Sequence, residues 1–301
     1  MLTAEQIETY NREGCLCIPN FLSPEEIKKY LEQSKQLLDD FDPQTHPKTQ
    51  FKTGDNDHVG DNYFFDSSDK VSYFFDTDAF DENGQLKYSK ENSINKIGHG
   101  LHMHNETFRQ LTFDDRIKGV ARSLEYNDPR VLQSMCIFKQ GTSGPAKERD
   151  NLVPVHTDAT FLFTEPQSAI GFWFALEDCS EDNGCLWYHP GSHKVFPITK
   201  RFVKIDGGKK GTNFIPVDYD KSVPIPDDSP EVYKSIECKA GSLVLIHNSV
   251  LHKSEKNRTP KSRFIYAFHV IDGVAKYDNL NWLQVPPSEA GGTEFSKLYE
   301  N

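Results

Sequence analysis

Val155-His156-Thr157-Asp158-Ala159-Thr160-Phe161 is the stretch on which the reading of this chain turns. On an extended strand, residues two apart leave the same face, about 7 Å apart along the chain. The imidazole of His156 and the carboxylate of Asp158 can therefore converge on one metal ion. Two ligands do not complete a site. His252, in Val250-Leu251-His252-Lys253-Ser254, is the best third. Two histidines and a carboxylate on one face of an ion form the facial triad of non-haem iron(II) oxygenases, which leaves positions open for other ligands. A His-x-Asp alone arises by chance in many chains of this length. Arg263, eleven residues after His252 on the next apolar run, gives it weight.

Arg263 begins an alternating apolar strand. A lone guanidinium pointing into a barrel is costly unless a carboxylate pairs with it. Either it points outward, the ordinary arrangement, or something anionic comes to it, and a bidentate partner suits arginine better than lysine. A dicarboxylic co-substrate fits: one end chelates the metal and the other meets Arg263. 2-Oxoglutarate has that shape. Its 1-carboxylate and 2-keto oxygen would take two of the open positions and dioxygen the last.

The 301 residues suffice for one large all-β or mixed domain with helical additions. With 21 Phe, 12 Tyr and 3 Trp, the core should be aromatic rather than aliphatic, as in a folded enzyme. A net charge of -11 argues against nucleic-acid or membrane-surface binding. No apolar run approaches the roughly 20 residues that span a bilayer. Neither a secretory signal at Met1-Leu2-Thr3-Ala4 nor a peroxisomal address at the C-terminus is visible. The six cysteines form no Cys-x-x-Cys pair and read as reduced thiols. A cytoplasmic, monomeric protein acting on a small molecule is expected.

In chain order, Thr3 with Gln6 forms a capping box and Gly14 a helix stop; Ser23-Pro24-Glu25-Glu26 opens a second helix. Residues 42–70 read as a long polar loop of the kind that often serves as a lid. The aromatic clusters Tyr63-Phe64-Phe65 and Tyr73-Phe74-Phe75 that follow read as strand and core, or as a pocket wall. His99, His102 and His104 rival the triad, but no acidic ligand is placed beside them, so hydrogen-bonding roles fit better. Residues 108–124 have helical spacing with a break near Asp114. From Val131 the chain turns to short strands, with Gln133, Met135 and Ile137 sharing a face. Asn183-Gly184 signals a hairpin, residues 194–236 a proline-rich insertion, and Ser262 to Val270 the last strong strand. The expected fold is an all-β core with added helices: a double-stranded β-helix (jelly roll) with N-terminal helices packed outside. One domain spans 1–301, mainly helical over 1–130, jelly-roll core over 131–275, and a C-terminal tail over 276–301.

His156-Thr157-Asp158, the distal His252 and Arg263 resemble the phytanoyl-CoA dioxygenase family of Fe(II)/2-oxoglutarate oxygenases. So do Asn183-Gly184-Cys185-Leu186 and Pro190-Gly191-Ser192-His193, and the resemblance covers nearly the whole chain. It implies His156, Asp158 and His252 as ligands of Fe(2+), Arg263 on the distal carboxylate of 2-oxoglutarate, and Lys96, Met135 and Trp173 against that co-substrate. Thr157 occupies a position where glutamine is common in the family, and its hydroxyl is a candidate co-substrate contact. From the residues alone, Lys96 also fits a solvated loop, and Met135 and Trp173 fit ordinary core. Asn183 and His193 read as structural.

The implied reaction is a hydroxylation driven by O2, with 2-oxoglutarate converted to succinate and carbon dioxide. A carboxylate at 158 favours hydroxylation over halogenation, because a small residue there would free a position for halide. A small-molecule substrate is expected, its identity undetermined: the family name suggests a branched acyl-CoA, whereas the bulk negative charge and the lack of a peroxisomal address speak against such a polyanion. A basic run at Lys194, Lys200, Arg201, Lys204, Lys209 and Lys210, interrupted by Asp206, is either a solvated loop or an entrance that attracts an anion. Two alternatives stand: a 2-oxoglutarate-binding or sensing protein with vestigial activity, and a cupin-like metalloenzyme that does not use 2-oxoglutarate.

Overall fold

Thr3 opens the first helix through reciprocal bonds. Its hydroxyl accepts from the Gln6 N–H, and the Gln6 side chain accepts from the Thr3 N–H. Helix α1 (Ala4–Glu13) stops at Gly14, whose φ of 78° is the left-handed setting that glycine adopts at no cost. Strand β1 (Cys15–Ile18) follows, and Ser23 caps α2 (Pro24–Asp40) in the same reciprocal way, with proline at the first position. Tyr30, Ser34 and Leu38 form its buried stripe. The computed structural model describes residues 1–52, 57–142, 149–223, 226, 229–289 and 291–300.

The next elements are α3 (Asn62–Phe65), β2 (Val71–Phe75), β3 (Ile94–His99), α4 (Leu101–His104), α5 (Glu106–Thr112) and α6 (Asp115–Ser123). Tyr63-Phe64-Phe65 thus lies in a helical turn. The Asp61 carboxylate caps this turn by accepting from the Phe64 N–H. Asp114 caps α6, which is the physical origin of the break expected there.

The rest of the chain is built from strands. They are β4 (Pro129–Lys139), β5 (Val153–His156), β6 (Thr164–Glu165), β7 (Ile170–Ala175) and β8 (Leu186–Tyr188), the short helix α7 (Ser192–Val195), then β9 (Lys200–Lys204) and β10 (Thr212–Pro216). Strands β11 (Lys234–Ile236), β12 (Leu243–His247), β13 (His252–Ser254), β14 (Arg263–Asp272), β15 (Lys276–Tyr277) and β16 (Ser296–Lys297) complete it. Two antiparallel sheets carry the architecture. The larger runs β1-β12-β7-β14-β4-β3-β2, with β16 also on β4, and the smaller runs β11-β8-β13-β5. This is the double-stranded β-helix expected, with the sheets facing one another rather than closing into a continuous barrel.

Side-chain parity divides the larger sheet. On β14, Phe264, Tyr266, Phe268 and Val270 join the helices in one aromatic core, where Phe268 stacks on Phe172 (4.8 Å) and Tyr266 on Phe108 (4.5 Å). The Tyr266 hydroxyl also meets that of Thr112 on α5 at 2.6 Å. The alternate residues, Arg263, Ile265, Ala267 and His269, face the smaller sheet. Ile265 and Ala267 pack there with Trp173, Val244 and Ile246 against Leu186 and Ile236.

Two sequence expectations change. Asn183-Gly184 is not a hairpin between paired strands: β7 belongs to the larger sheet and β8 to the smaller. The pair instead forms the corner between the sheets, with Gly184 at φ 76° and the Asn183 amide bonded to the Asp178 carbonyl and the Ser180 N–H. Residues 194–236, read as an insertion, contain the β9–β10 hairpin, whose Phe202 and Phe214 pack on Phe161. A buried guanidinium ties the β4–β5 connection to the segment between β2 and β3. Arg149 bonds Asp76 and Asp78 at 3.0 Å each and the Asn92 carbonyl at 3.1 Å.

Candidate active site

β5 ends at His156 and a tight turn begins at Asp158, so the two do not share a strand as the sequence suggested. Their convergence comes from that junction. The Asp158 carbonyl accepts from Phe161 and Leu162 N–H groups, which turns the carboxylate back toward the sheet. β13 pairs antiparallel with β5, and His252 lies directly opposite His156. The rings sit 4.2 Å apart, and Asp158 Oδ1 lies 3.6 Å from His252 Nε2 and 3.9 Å from His156 Nε2. One ligating atom from each of the three residues falls within 4.8 Å of the others.

The second nitrogen of each ring fixes the tautomer. His156 Nδ1 lies 2.9 Å from the Pro154 carbonyl and His252 Nδ1 lies 3.1 Å from that of Val250. A carbonyl only accepts, so both Nδ1 atoms carry hydrogen and both Nε2 atoms are left on the side of Asp158, free to ligate a metal. Burial, reinforced by His252, pushes His156 down to about 4, which leaves it neutral at pH 7. Burial alone would raise the Asp158 carboxyl, but His252, His269 and His156 outweigh it and hold the group well below the usual carboxylate range. Two imidazole nitrogens and one carboxylate oxygen on one side of a common point suit a divalent transition metal and leave its other side free.

Arg263 is buried at 4% exposure on the inner face of β14. It donates to the Gly184 carbonyl at 2.6 Å and lies 5.3 Å from the Trp173 ring, yet its Nε has no partner. No carboxylate pairs with it among the described residues. Desolvation accordingly lowers its pKa. Lys139, its register partner on β4, is also buried and held well below its ordinary value by desolvation and by Arg263. Its ammonium is satisfied by the Asn151 carbonyl (2.8 Å) and the Ser254 hydroxyl (2.7 Å). Sequence reasoning passed over this lysine.

The remaining expected residues fall into place unevenly. Met135 and Trp173 flank Ala267 in register on the inner face. Lys96, opposite Ile137 on the same face, is buried with Nζ 3.2 Å from the centre of the Phe51 ring, and burial lowers it to about 7. The Thr157 hydroxyl bonds that of Thr160 at 3.0 Å. His99 bonds Ser67, His102 bonds Ser134 and His104 bonds the Asp69 carbonyl, so these three histidines form no cluster. In the basic run, Arg201 is neutralised by Asp278 at 2.9 Å, and Lys200 and Lys204 lie over Phe214 and Phe65. His269 was not singled out in the sequence, yet its Nε2 lies 3.4 Å from Asp158 Oδ2.

A histidine–aspartate–histidine cluster at one end of a double-stranded β-helix, faced by a buried arginine, defines the class of Fe(II)/2-oxoglutarate-dependent oxygenases. The family model described as phytanoyl-CoA dioxygenase (PhyH) matches residues 10–265, and the chain belongs to that family. It is 39% identical over 284 residues to a phytanoyl-CoA dioxygenase of Arabidopsis thaliana, covering 94% of each chain. It is 37% identical to the phytanoyl-CoA dioxygenase domain-containing protein 1 homolog of Caenorhabditis elegans, covering 98% of each. Among solved structures, the epimerase SnoN with Fe3+, alpha ketoglutarate and nogalamycin RO superposes with a TM-score of 0.63 at 18% identity, over 98% of this chain and 97% of that one. EctD from S. alaskensis with bound Fe superposes at 0.61 and 17% identity, over 99% and 89%. The protein is a dioxygenase that uses Fe(II), 2-oxoglutarate and O2. No helix among the described residues is long and apolar enough to cross a membrane.

Proposed function

We propose that His156, Asp158 and His252 hold the ferrous ion, that Arg263 takes the distal carboxylate of 2-oxoglutarate, and that the protein hydroxylates a small molecule. The overall change balances as R–H + 2-oxoglutarate + O2 giving R–OH + succinate + CO2. The observation that carries this reading is Arg263, a buried guanidinium with an unpartnered Nε facing the same interior as the triad. A dicarboxylate supplies the counter-charge that the described residues do not.

Bound iron supplies the activation of dioxygen that the chain's own groups lack. The protein's contribution is positional. The Pro154 and Val250 carbonyls lock the imidazoles, so no tautomer change accompanies metal binding. Trp173 and Met135 line the space between triad and arginine and keep it apolar, which strengthens the ion pair formed there. Lys96, stripped of water, adds a second positive group on the same face when protonated. Phe161, with its ring 5.8 Å from that of His156, leads from the metal to the β9–β10 hairpin, so that hairpin borders the substrate's approach. We assign the chain one domain, since the helices complete the outer core of the larger sheet.

The test is anaerobic incubation with Fe(II) and labelled 2-oxoglutarate, followed by admission of oxygen, with Asp158→Ala as the control. Release of labelled carbon dioxide that vanishes in the variant supports the reading. Binding of 2-oxoglutarate without release, even across a panel of candidate small molecules, favours a binding protein and defeats the hydroxylase. Neither binding nor release defeats both.

A further inference from the structure

We propose that His269 is a positioning residue for the metal: its Nε2–H holds the second oxygen of Asp158, so that only the first is presented to the ion. The inference rests on the assignment of the three ligands above. Strand parity places His269 on the inner face of β14, six residues beyond Arg263, opposite Gln133 on β4 and Gly171 on β7. Asp158 is divided between two tasks. Oδ1 faces the two ligand imidazoles at 3.6 and 3.9 Å, and Oδ2 faces His269 Nε2 at 3.4 Å.

The proton's place follows from the other side of the ring. Gln133 Nε2 lies 3.2 Å from His269 Nδ1. An amide N–H donates, so Nδ1 accepts, and the imidazole hydrogen sits on Nε2, toward the carboxylate. The opposite setting, with the amide turned over and hydrogen on Nδ1, would aim a lone pair at an ionised carboxylate. At 3.4 Å the two atoms are within ion-pair distance, but Oδ2 makes no hydrogen bond among the described residues, so the bond proposed here is one that forms as the site fills. Such bonds commonly tighten when the site is filled. His269 is not a fourth ligand: the ligating atoms that cluster within 4.8 Å come from the other three residues.

The arrangement has a chemical purpose. A carboxylate free to rotate can chelate an ion through both oxygens and occupy a position the reaction needs. With Oδ2 held, Asp158 would present one oxygen to the ion and leave the other side of the site to 2-oxoglutarate and O2. This is the outer-shell support that metal sites use to orient their ligands.

The test uses the metal alone. Purified apo-protein is titrated with Co(II), with binding followed by the visible d–d bands, for wild type, His269→Leu and His269→Gln, alongside thermal melts. Leucine removes the donor and should weaken Co(II) binding by about 10–100-fold and alter the d–d bands. Glutamine keeps an N–H and should restore most of both. Wild-type affinity and bands in His269→Leu would overturn the proposal. So would equal impairment of both variants with lowered melting temperatures, which marks a packing role. If wild type takes up no Co(II), or Asp158→Ala binds it equally well, the ligand assignment itself fails, and that result is distinct from either of the others.

Discussion

Arg263, in the role proposed for it, would serve binding at the expense of folding. Its guanidinium is buried against Trp173 and bonded to the Gly184 carbonyl, with no carboxylate partner among the described residues. Arg263→Leu should abolish the rise in melting temperature that 2-oxoglutarate gives the metal-loaded protein. The expected loss is about 2–5 kcal/mol of binding, or more than roughly 30-fold in Kd by calorimetry. An unchanged Kd would remove Arg263 from the site. Lys96 carries a pH signature. Burial lowers it to about 7 in the fold, while an unfolded lysine titrates near 10.4. Between those values the unfolded chain binds the extra proton, so stability rises with pH through that window and is flat below it. Lys96→Met should therefore gain most over wild type at pH 6, with the gap closing toward pH 10 in urea midpoints. A pH-independent gap would contradict the burial. At this scale the clustering of His156, Asp158 and His252 and the inward burial of Arg263 were legible in the sequence, because such chemistry demands rare residue types at recognisable spacings. His269 was not, because a single histidine in an apolar strand carries no mark of the carboxylate it faces across the sheet.

At the scale of elements, capping chemistry made α1, α2 and the start of α6 readable, since their stop and start signals are local. Sheet membership was not readable. Asn183-Gly184 carries a hairpin's residues but turns a corner, because which strands pair is decided by contacts far apart in the chain. The β9–β10 hairpin was hidden for another reason. Its strands mix Lys, Arg and Phe, and their burial comes from Phe161 rather than from alternation of their own. Arg149 is the element-scale strut, bonded to Asp76, Asp78 and the Asn92 carbonyl in the segment between β2 and β3 and almost without exposure. Arg149→Met leaves Asp76 buried without its counter-ion and should destabilise the fold by about 3–5 kcal/mol in urea titrations. A loss near zero would mean that the strut is ornamental.

The whole molecule is organised by parity in one sheet. The outer face belongs to the helices and an aromatic core, the inner face to the chemistry. The abundance of phenylalanine and tyrosine announced such a core, though not which side of the sheet it would occupy. Phe268 is fully buried in it, stacked on Phe172. Phe268→Ala should cost about 3–5 kcal/mol. Helices and strands share this core, so the far-UV signal of the helices and the fluorescence of Trp173, Trp187 and Trp282 should lose stability together, with coincident midpoints. Separate midpoints would show two units instead of one.

The uncompensated Arg263 reaches beyond affinity. If a dicarboxylate pairs with Arg263 as proposed, the loaded fold opens less often than the empty one, whose described residues give this buried charge no counter-ion, and each opening exposes backbone to proteases. On the proposed role of Arg263, the ligand that drives the reaction would thus also lengthen the lifetime of the catalyst.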